Sequence, residues 1–301
     1  MKVLITGSSG QLGKSLITSK GERIKLLIPD RFEFDLQDKQ SIIDYIELHK
    51  PIWTINCAAY TSVDEAEDNS NLAKSINLTG VGTLAKLIKS YGGKLLQIST
   101  DFIFDGTKNR PYKPFDKGNP LCKYGLTKYQ AEKEILKIFS NSNQGIILRT
   151  SWLISPYGKN FLLTILRLLK EQETISVVND QIGSLTSCKS LADTCWELIS
   201  IYSNNVLSKN LPNILHWSDE GLISWFQIAC EINTFSAKIG LIEKEKEIIP
   251  ISSKEFKSKA MRPMFSSLEC SETKRILNKE QTKWKKSIQD ILLKIKSSTN
   301  L

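Results

Sequence analysis

The chain has 301 residues, 41% hydrophobic and 24% charged, with a formal net charge of +9. This length supports one large domain or two interlocked ones around a sizeable core, with the composition of a soluble globular protein. The basic excess is spread along the chain. The clusters Lys254-Lys257-Lys259 and Lys283-Lys285-Lys286 read as solvated faces, and no RNA-binding or zinc-finger motif accompanies them, so nucleic acid is not an expected partner.

Lys2-Val3-Leu4-Ile5-Thr6 reads as a short buried strand running into Gly7-Ser8-Ser9-Gly10-Gln11-Leu12-Gly13 and then a helix with Leu12, Leu16 and Ile17 on one face. Strand, glycine turn and helix make a dinucleotide-binding βαβ unit. Gly7 permits the turn, Gly10 lets a pyrophosphate approach, Gly13 lets helix and strand pack closely, and the helix N-terminus offers free N–H groups. The G-x-x-G-x-x-G spacing departs from G-x-G-x-x-G, and a glycine-rich turn in another α/β protein is the alternative.

Further strands are expected at Ile24–Ile28, Trp53–Cys57, Lys94–Ser99 and Ile146–Thr150. Helices are expected at Gln11–Ser19, Ser41–His49, Asn71–Tyr91 with a break near Gly80, and Tyr124–Phe139. This alternation predicts a Rossmann-like, doubly wound parallel sheet with ligands beyond the carboxyl ends of its strands. The second half is less regular, with helices at Phe161–Lys170, Ser190–Tyr202 and Ser224–Thr234 and a strand at Ile175–Val178. The expected organisation is a dinucleotide-binding domain over 1–150 and a smaller α/β substrate domain over 151–301, with some later segments returning to the first.

Tyr124-Gly125-Leu126-Thr127-Lys128 places a phenol and an ammonium on one helix face, an ammonium that would lower the phenol pKa and make it a better proton donor. The spacing recurs as Tyr129–Lys133. Tyr124 and Lys128 align with apolar Ala131, Ile135 and Ile138, whereas Tyr129 and Lys133 fall on a more polar side and read as a solvated pair. At the end of the Lys94–Ser99 strand, the Thr100 hydroxyl could hold a substrate carbonyl oxygen or cap a turn, and Asp101 could orient donors or fix the loop. Asp30, near the end of the second strand, would suit a ribose 2′-OH and NADH, and Arg31 a 2′-phosphate and NADPH.

The six cysteines form no C-x-x-C pair and the two histidines join no ligand cluster, so neither a metal nor structural disulfides are expected. The longest apolar stretch, Phe161 to Leu169, is interrupted by Thr164 and Arg167, so no membrane span is expected, and the location read from the sequence is cytoplasmic.

Several runs follow in order: the glycine turn; Asn56-Cys57-Ala58-Ala59-Tyr60-Thr61-Ser62-Val63-Asp64-Glu65-Ala66-Glu67; Ser99-Thr100-Asp101-Phe102-Ile103-Phe104-Asp105-Gly106; Tyr124 to Lys128; Arg149-Thr150-Ser151-Trp152; Asn160-Phe161; Asp180 to Gly183; and Ala260-Met261-Arg262-Pro263. Together they resemble the dTDP-4-dehydrorhamnose reductases, extended short-chain dehydrogenase/reductases, over nearly the whole chain. The resemblance implies NAD(P)H-dependent reduction of the 4-keto group of dTDP-6-deoxy-L-lyxo-4-hexulose to dTDP-L-rhamnose; it is permissive between the two cofactors, with NADPH slightly ahead of NADH. It implies Tyr124 as proton donor, Lys128 tuning it and binding the nicotinamide ribose, and Thr100 on the carbonyl oxygen. Gly7, Gly10, Gln11, Leu12 and Gly13 would surround the pyrophosphate, Asp35 and Leu36 the adenine end, and Ala58, Ala59 and Tyr60 the cofactor cleft. Asp101, Trp152, Gln181 and Arg262 would face the sugar nucleotide, although Trp152 also suits a core and Arg262 an ion pair. Phe102 in place of a usual Tyr, Ala131 of a Gly and Leu185 of a Pro, with a loosely matching His216-Trp217, leave the exact sugar open. Other readings are reduction of another nucleotide-activated 4-keto-6-deoxy sugar, or a non-catalytic binding subunit. A homodimer is among the assemblies allowed.

Overall fold

The computed structural model describes residues 1–140, 142–204 and 211–299. The apolar run after Met1 forms β1 (Lys2–Thr6), buried because helices cover both faces of a parallel sheet. α1 (Gln11–Thr18) leads to β2 (Lys25–Leu27), and α2 (Lys39–His49) to β3 (Trp53–Asn56). Short α3 (Glu65–Asp68) and α4 (Ser70–Lys74) continue through a π-helical turn, Ser75–Gly80, into α5 (Val81–Ser90) and β4 (Lys94–Thr100). α6 (Lys123–Ile138) then crosses to β5 (Gly145–Thr150).

The chain next builds a second layer from β6 (Leu153–Ile154), α7 (Phe161–Glu171), β7 (Thr174–Val178), β8 (Ile182–Gly183) and β9 (Thr186–Ser187). It returns to the sheet with α8 (Cys188–Ser203) and β10 (Ile214–His216), which pairs parallel to β5. β11 (Ile223–Ser224), α9 (Trp225–Lys238), β12 (Glu247–Ile251), α10 (Ser253–Phe256), α11 (Ser271–Leu277) and α12 (Trp284–Thr299) complete it. The main sheet runs β10-β5-β4-β3-β1-β2, every pairing parallel. Strand order reverses between β1 and β3, which opens a crevice at their carboxyl ends.

Among the described residues, the three largest apolar clusters hold these layers. Val3, Ile5, Leu16, Leu191, Leu198 and Trp217 pack between the sheet, α1 and α8. Leu4, Ile42, Ile88 and Ile135 fill the opposite face beneath α2, α5 and α6. Leu162, Leu166, Ile228, Ile232 and Ile288 make the core of the second layer. α8 and β10 therefore belong physically with the first lobe.

The helix expected over Asn71–Tyr91 does not break near Gly80. It widens into the π-helical turn, and a side chain on Gly80 would collide with the Leu36 carbonyl. The expected Ser41 helix starts earlier, at Lys39, because Asp38 caps it by accepting the Gln40 N–H at 2.8 Å. Among the described residues no helix is long and apolar enough to cross a membrane, and no group of three His, Cys, Asp or Glu side chains is placed to hold a metal ion.

Candidate active site

A cleft of about 810 Å³ opens over the carboxyl ends of β1, β3 and β4. At one end lies the glycine turn. Gly7 has φ +65°, the left-handed region where glycine is at ease, and any Cβ on Gly13 would drive into the Gly7 and Ser8 backbone. α1 starts at Gln11 with no side chain capping its first N–H groups, so they and the helix dipole face the cleft. Gly10, Gln11, Leu12, Ala58, Ala59 and Tyr60 line the same end.

Asp30, Arg31, Asp35 and Leu36 line the far side of this end. One Asp30 carboxylate oxygen accepts the N–H groups of Phe32 and Glu33, at 2.8 and 3.0 Å, and so is committed to its own turn. Arg31 pairs with Asp35 at 3.1 Å, but its side chain is 73% exposed and the bond is weak enough to exchange for a phosphate. The cradle fits a dinucleotide, and the free guanidinium edge suits a 2′-phosphate.

At the other end Thr100, Asp101, Tyr124, Lys128 and Trp152 converge. The Thr100 hydroxyl donates to Asp101 at 3.2 Å, accepts the Phe102 N–H at 3.2 Å, and lies against the Tyr124 phenol, so turn capping and a place in the cleft coexist. Burial pushes the Asp101 carboxyl up to about 6, against hydrogen bonds from Ser266 and Thr100. The expected lowering of the Tyr124 pKa by Lys128 is not found. Burial raises the phenol above its ordinary value, the Thr100 hydrogen bond opposes, and the nearby Asp101 and Cys122 add to the rise; the Lys128 ammonium is turned to the Ile98 carbonyl at 2.7 Å. Burial also pushes Lys128 down to about 8, opposed by Glu132 and Cys57.

Tyr129 and Lys133 stand away from the cleft. The Lys133 ammonium lies 4.2 Å from the Tyr129 ring centroid, as expected of a separate pair, but Tyr129 is half-buried rather than solvated because Phe104 and Tyr112 lie in the cluster it packs against. Gln181 and Arg262 are not brought to the cleft wall. Gln181 accepts the Trp225 indole N–H at 3.2 Å, and Arg262 grips Asp64 through two nitrogens, at 3.1 and 2.5 Å. The ion-pair alternative for Arg262 is the arrangement seen.

Other residues that support the site carry no local sequence signal. Buried Asn77, inside the π-helical turn, accepts the Tyr60 N–H at 2.8 Å and donates to the Tyr60 carbonyl and Thr127 hydroxyl, at 3.1 and 3.2 Å. A lone Asn in a helical run gives no warning of this, though such turns gather at functional sites. Glu132, one turn beyond Lys128, takes Arg149 bidentately at 2.9 and 2.7 Å and accepts the Ser99 hydroxyl. Gln11 reaches across to the second layer, accepting from Ser155 at 2.9 Å and Asn160 at 3.0 Å.

A doubly wound parallel sheet, a glycine-turn cradle and a Tyr-x-x-x-Lys pair beside a strand-end hydroxyl define an extended short-chain dehydrogenase/reductase. Residues 1–297 match the family described as RmlD substrate binding domain, and the chain belongs to that family. It is 34% identical to a dTDP-4-dehydrorhamnose reductase of Aggregatibacter actinomycetemcomitans, over 96% of this chain and 98% of the relative. It is 33% identical to that of Burkholderia thailandensis, over 96% and 97%. Its fold superposes on the crystal structure of a dTDP-4-dehydrorhamnose reductase from Bacillus anthracis in complex with NADP, with a TM-score of 0.88 and 33% identity, covering 97% of this chain and 99% of that one.

Proposed function

We propose that the protein reduces the 4-keto group of dTDP-6-deoxy-L-lyxo-4-hexulose to give dTDP-L-rhamnose, with NADPH favoured over NADH as reductant. The observation that carries this reading is the meeting of Thr100, Tyr124 and Lys128 at the end of a single cleft whose other end is the glycine cradle. A protein that only bound the cofactor would have no need of that trio.

The cofactor, when bound, supplies a hydride to C4. The residues do the rest. Thr100 holds the carbonyl oxygen by a hydrogen bond and Tyr124 gives it a proton as negative charge develops there. The raised Tyr124 pKa does not forbid this, since an alkoxide is far more basic than a phenolate. Lys128, buried and fixed to Ile98, presents its remaining donors to the ribose and helps restore the proton to Tyr124. Asp101, buried behind the cleft wall, orients the Thr100 hydroxyl, and Trp152 covers the sugar ring. Gly7, Gly10 and Gly13 with Gln11 and Leu12 take the pyrophosphate, Arg31 the 2′-phosphate, Asp35 and Leu36 the adenosine, and Ala58 to Tyr60 the cofactor's inner wall. Gln181 and Arg262 support the sugar site from behind. We place the reaction in the cytoplasm, and a homodimer is the assembly to test by sedimentation.

Incubation with NADPH and freshly generated keto sugar, followed by product separation, tests the reading. It requires dTDP-L-rhamnose in amounts equal to the NADPH consumed. A different product from the same sugar would reassign the configuration set at C4, and cofactor binding without consumption of this or any other 4-keto-6-deoxy sugar would reject the enzyme.

A further inference from the structure

Among the described residues, three cationic side chains line the cleft: Arg31, Lys128 and Lys159. Arg31 stands at the adenine end with Asp30 and Asp35, and Lys128 at the proton-donor end. Lys159 comes from the second layer, in the loop between β6 and α7, and is exposed, with no carboxylate among the described residues paired to its ammonium. Gln11, the first residue of α1, holds this loop against the glycine cradle. Its amide donates to the Lys159 carbonyl at 3.3 Å, and its carbonyl accepts from buried Ser155 at 2.9 Å and from Asn160 at 3.0 Å. Asn160 braces the loop from within, donating to the Ser155 and Tyr157 carbonyls at 3.0 and 3.2 Å and capping α7 through the Leu163 N–H at 3.1 Å. The Tyr157 hydroxyl accepts from Lys294 of α12 at 2.8 Å, and the Lys14 ammonium of α1 lies 5.7 Å from its ring centroid. The loop is thus pinned from both layers beside the uncapped N-terminus of α1.

We propose that Lys159 is a further cofactor-binding residue, the cation that meets the dinucleotide's diphosphate from the second layer, and that Ser155 is a positioning residue that holds it there through Gln11. The inference rests on the reading of the cleft as a dinucleotide site and extends it. The diphosphate is doubly charged, and the glycine turn offers it N–H donors and a helix dipole but no cation. Arg31 and Lys128 serve the two ends of the cofactor, which leaves Lys159 for its middle, where the cleft has no acidic side chain. The sugar nucleotide carries a diphosphate as well. The grip of Gln11 on the Lys159 backbone favours the cofactor's, since Gln11 belongs to the cradle. The layer that carries the sugar residues thereby takes part in holding the cofactor.

The test is calorimetric binding of NADPH, NADH and dTDP to wild type, Lys159→Met, Lys159→Arg and Ser155→Ala at low and high salt. Lys159→Met is expected to raise Kd for NADPH and NADH alike, by about tenfold at low salt and by less at high salt, with dTDP Kd unchanged. Lys159→Arg restores most of the loss. Ser155→Ala raises both dinucleotide Kd values by a smaller factor that also shrinks with salt. Unchanged dinucleotide Kd in Lys159→Met overturns the assignment, and a loss equal at both salt concentrations overturns it as a structural effect. A loss confined to NADPH moves Lys159 to the 2′-phosphate, and one confined to dTDP moves it to the sugar nucleotide; either overturns the proposal. Unchanged Kd in Ser155→Ala overturns the positioning role. A wild-type protein with no affinity for either dinucleotide overturns the cofactor reading itself.

Discussion

The ammonium of Lys128 donates a hydrogen bond to the backbone carbonyl of Ile98 at 2.7 Å. This bond ties α6 to β4 two residues before Thr100, so it sets the position of the Tyr124 phenol relative to the Thr100 hydroxyl. The same carbonyl accepts the Gln97 side-chain amide at 2.8 Å, and Gln97 in turn accepts from Asn56 at 2.7 Å. Asn56 meets the Thr6 hydroxyl just before the glycine turn. A buried polar chain thus runs under the cleft from the cofactor cradle to the proton donor.

A pH dependence follows from the burial of Lys128. Its pKa is pushed down to about 8, so the ammonium is half lost near pH 8. NADPH affinity is expected to weaken as pH rises from 7 to 9 (a range of about two units around that value), and titration calorimetry across it checks this. The sign for stability is opposite. Between about pH 8 and the ordinary lysine value the unfolded chain binds more protons than the folded one, so this group makes stability rise with pH. A flat NADPH affinity would show that the charge on Lys128 does not hold the cofactor.

The Glu132–Arg149 pair is almost fully buried, with side chains 2% and 3% exposed. Arg149 also donates to the Pro114 carbonyl at 2.9 Å and lies 3.2 Å from His216, which burial and Arg149 push down to about 3 and so keep neutral. Glu132→Leu leaves a buried guanidinium without its anion and is expected to cost about 3–5 kcal/mol in urea denaturation. Adding Arg149→Met should recover much of that loss, because the remaining charge goes with it. A double variant as unstable as the sum of the singles would refute the pairing argument.

The glycines of the turn are not equivalent. An added Cβ at Gly10 meets only the Gly7 carbonyl, at 3.2 Å, whereas at Gly13 it runs into the Gly7 and Ser8 backbone. Gly13→Ala is expected to lose about 1–3 kcal/mol of stability and to weaken NADPH binding. Gly10→Ala should leave stability nearly unchanged, and the bulkier Gly10→Val should block the cofactor. Thermal denaturation with and without NADPH separates these outcomes.

The strands β1, β3, β4 and β5 were legible because buried parallel strands are continuous apolar runs. Ile214–His216 was not, since three residues carry no period, and it becomes a strand only by pairing with β5. The separation of the Tyr124–Lys128 and Tyr129–Lys133 pairs is legible in the helix stripe: Lys128 is buried in the cleft wall and Lys133 exposed. The half-burial of Tyr129 was not, because it depends on Phe104 and Tyr112 from a separate loop. Motif alone points Gln181 and Arg262 at the sugar, but their partners, Trp225 and Asp64, are distant in sequence. The Asn77 and Glu132–Arg149 supports depend on the same kind of tertiary meeting.

In the proposed reaction everything turns on proton donation from Tyr124 to the sugar carbonyl. The most direct measurement compares kcat of wild type and Tyr124→Phe with NADPH and dTDP-6-deoxy-L-lyxo-4-hexulose, alongside NADPH Kd. The expected result is a fall of about 10²–10⁴-fold in kcat with Kd essentially unchanged, the loss that follows when a positioned general acid is removed. Full turnover by Tyr124→Phe would contradict it.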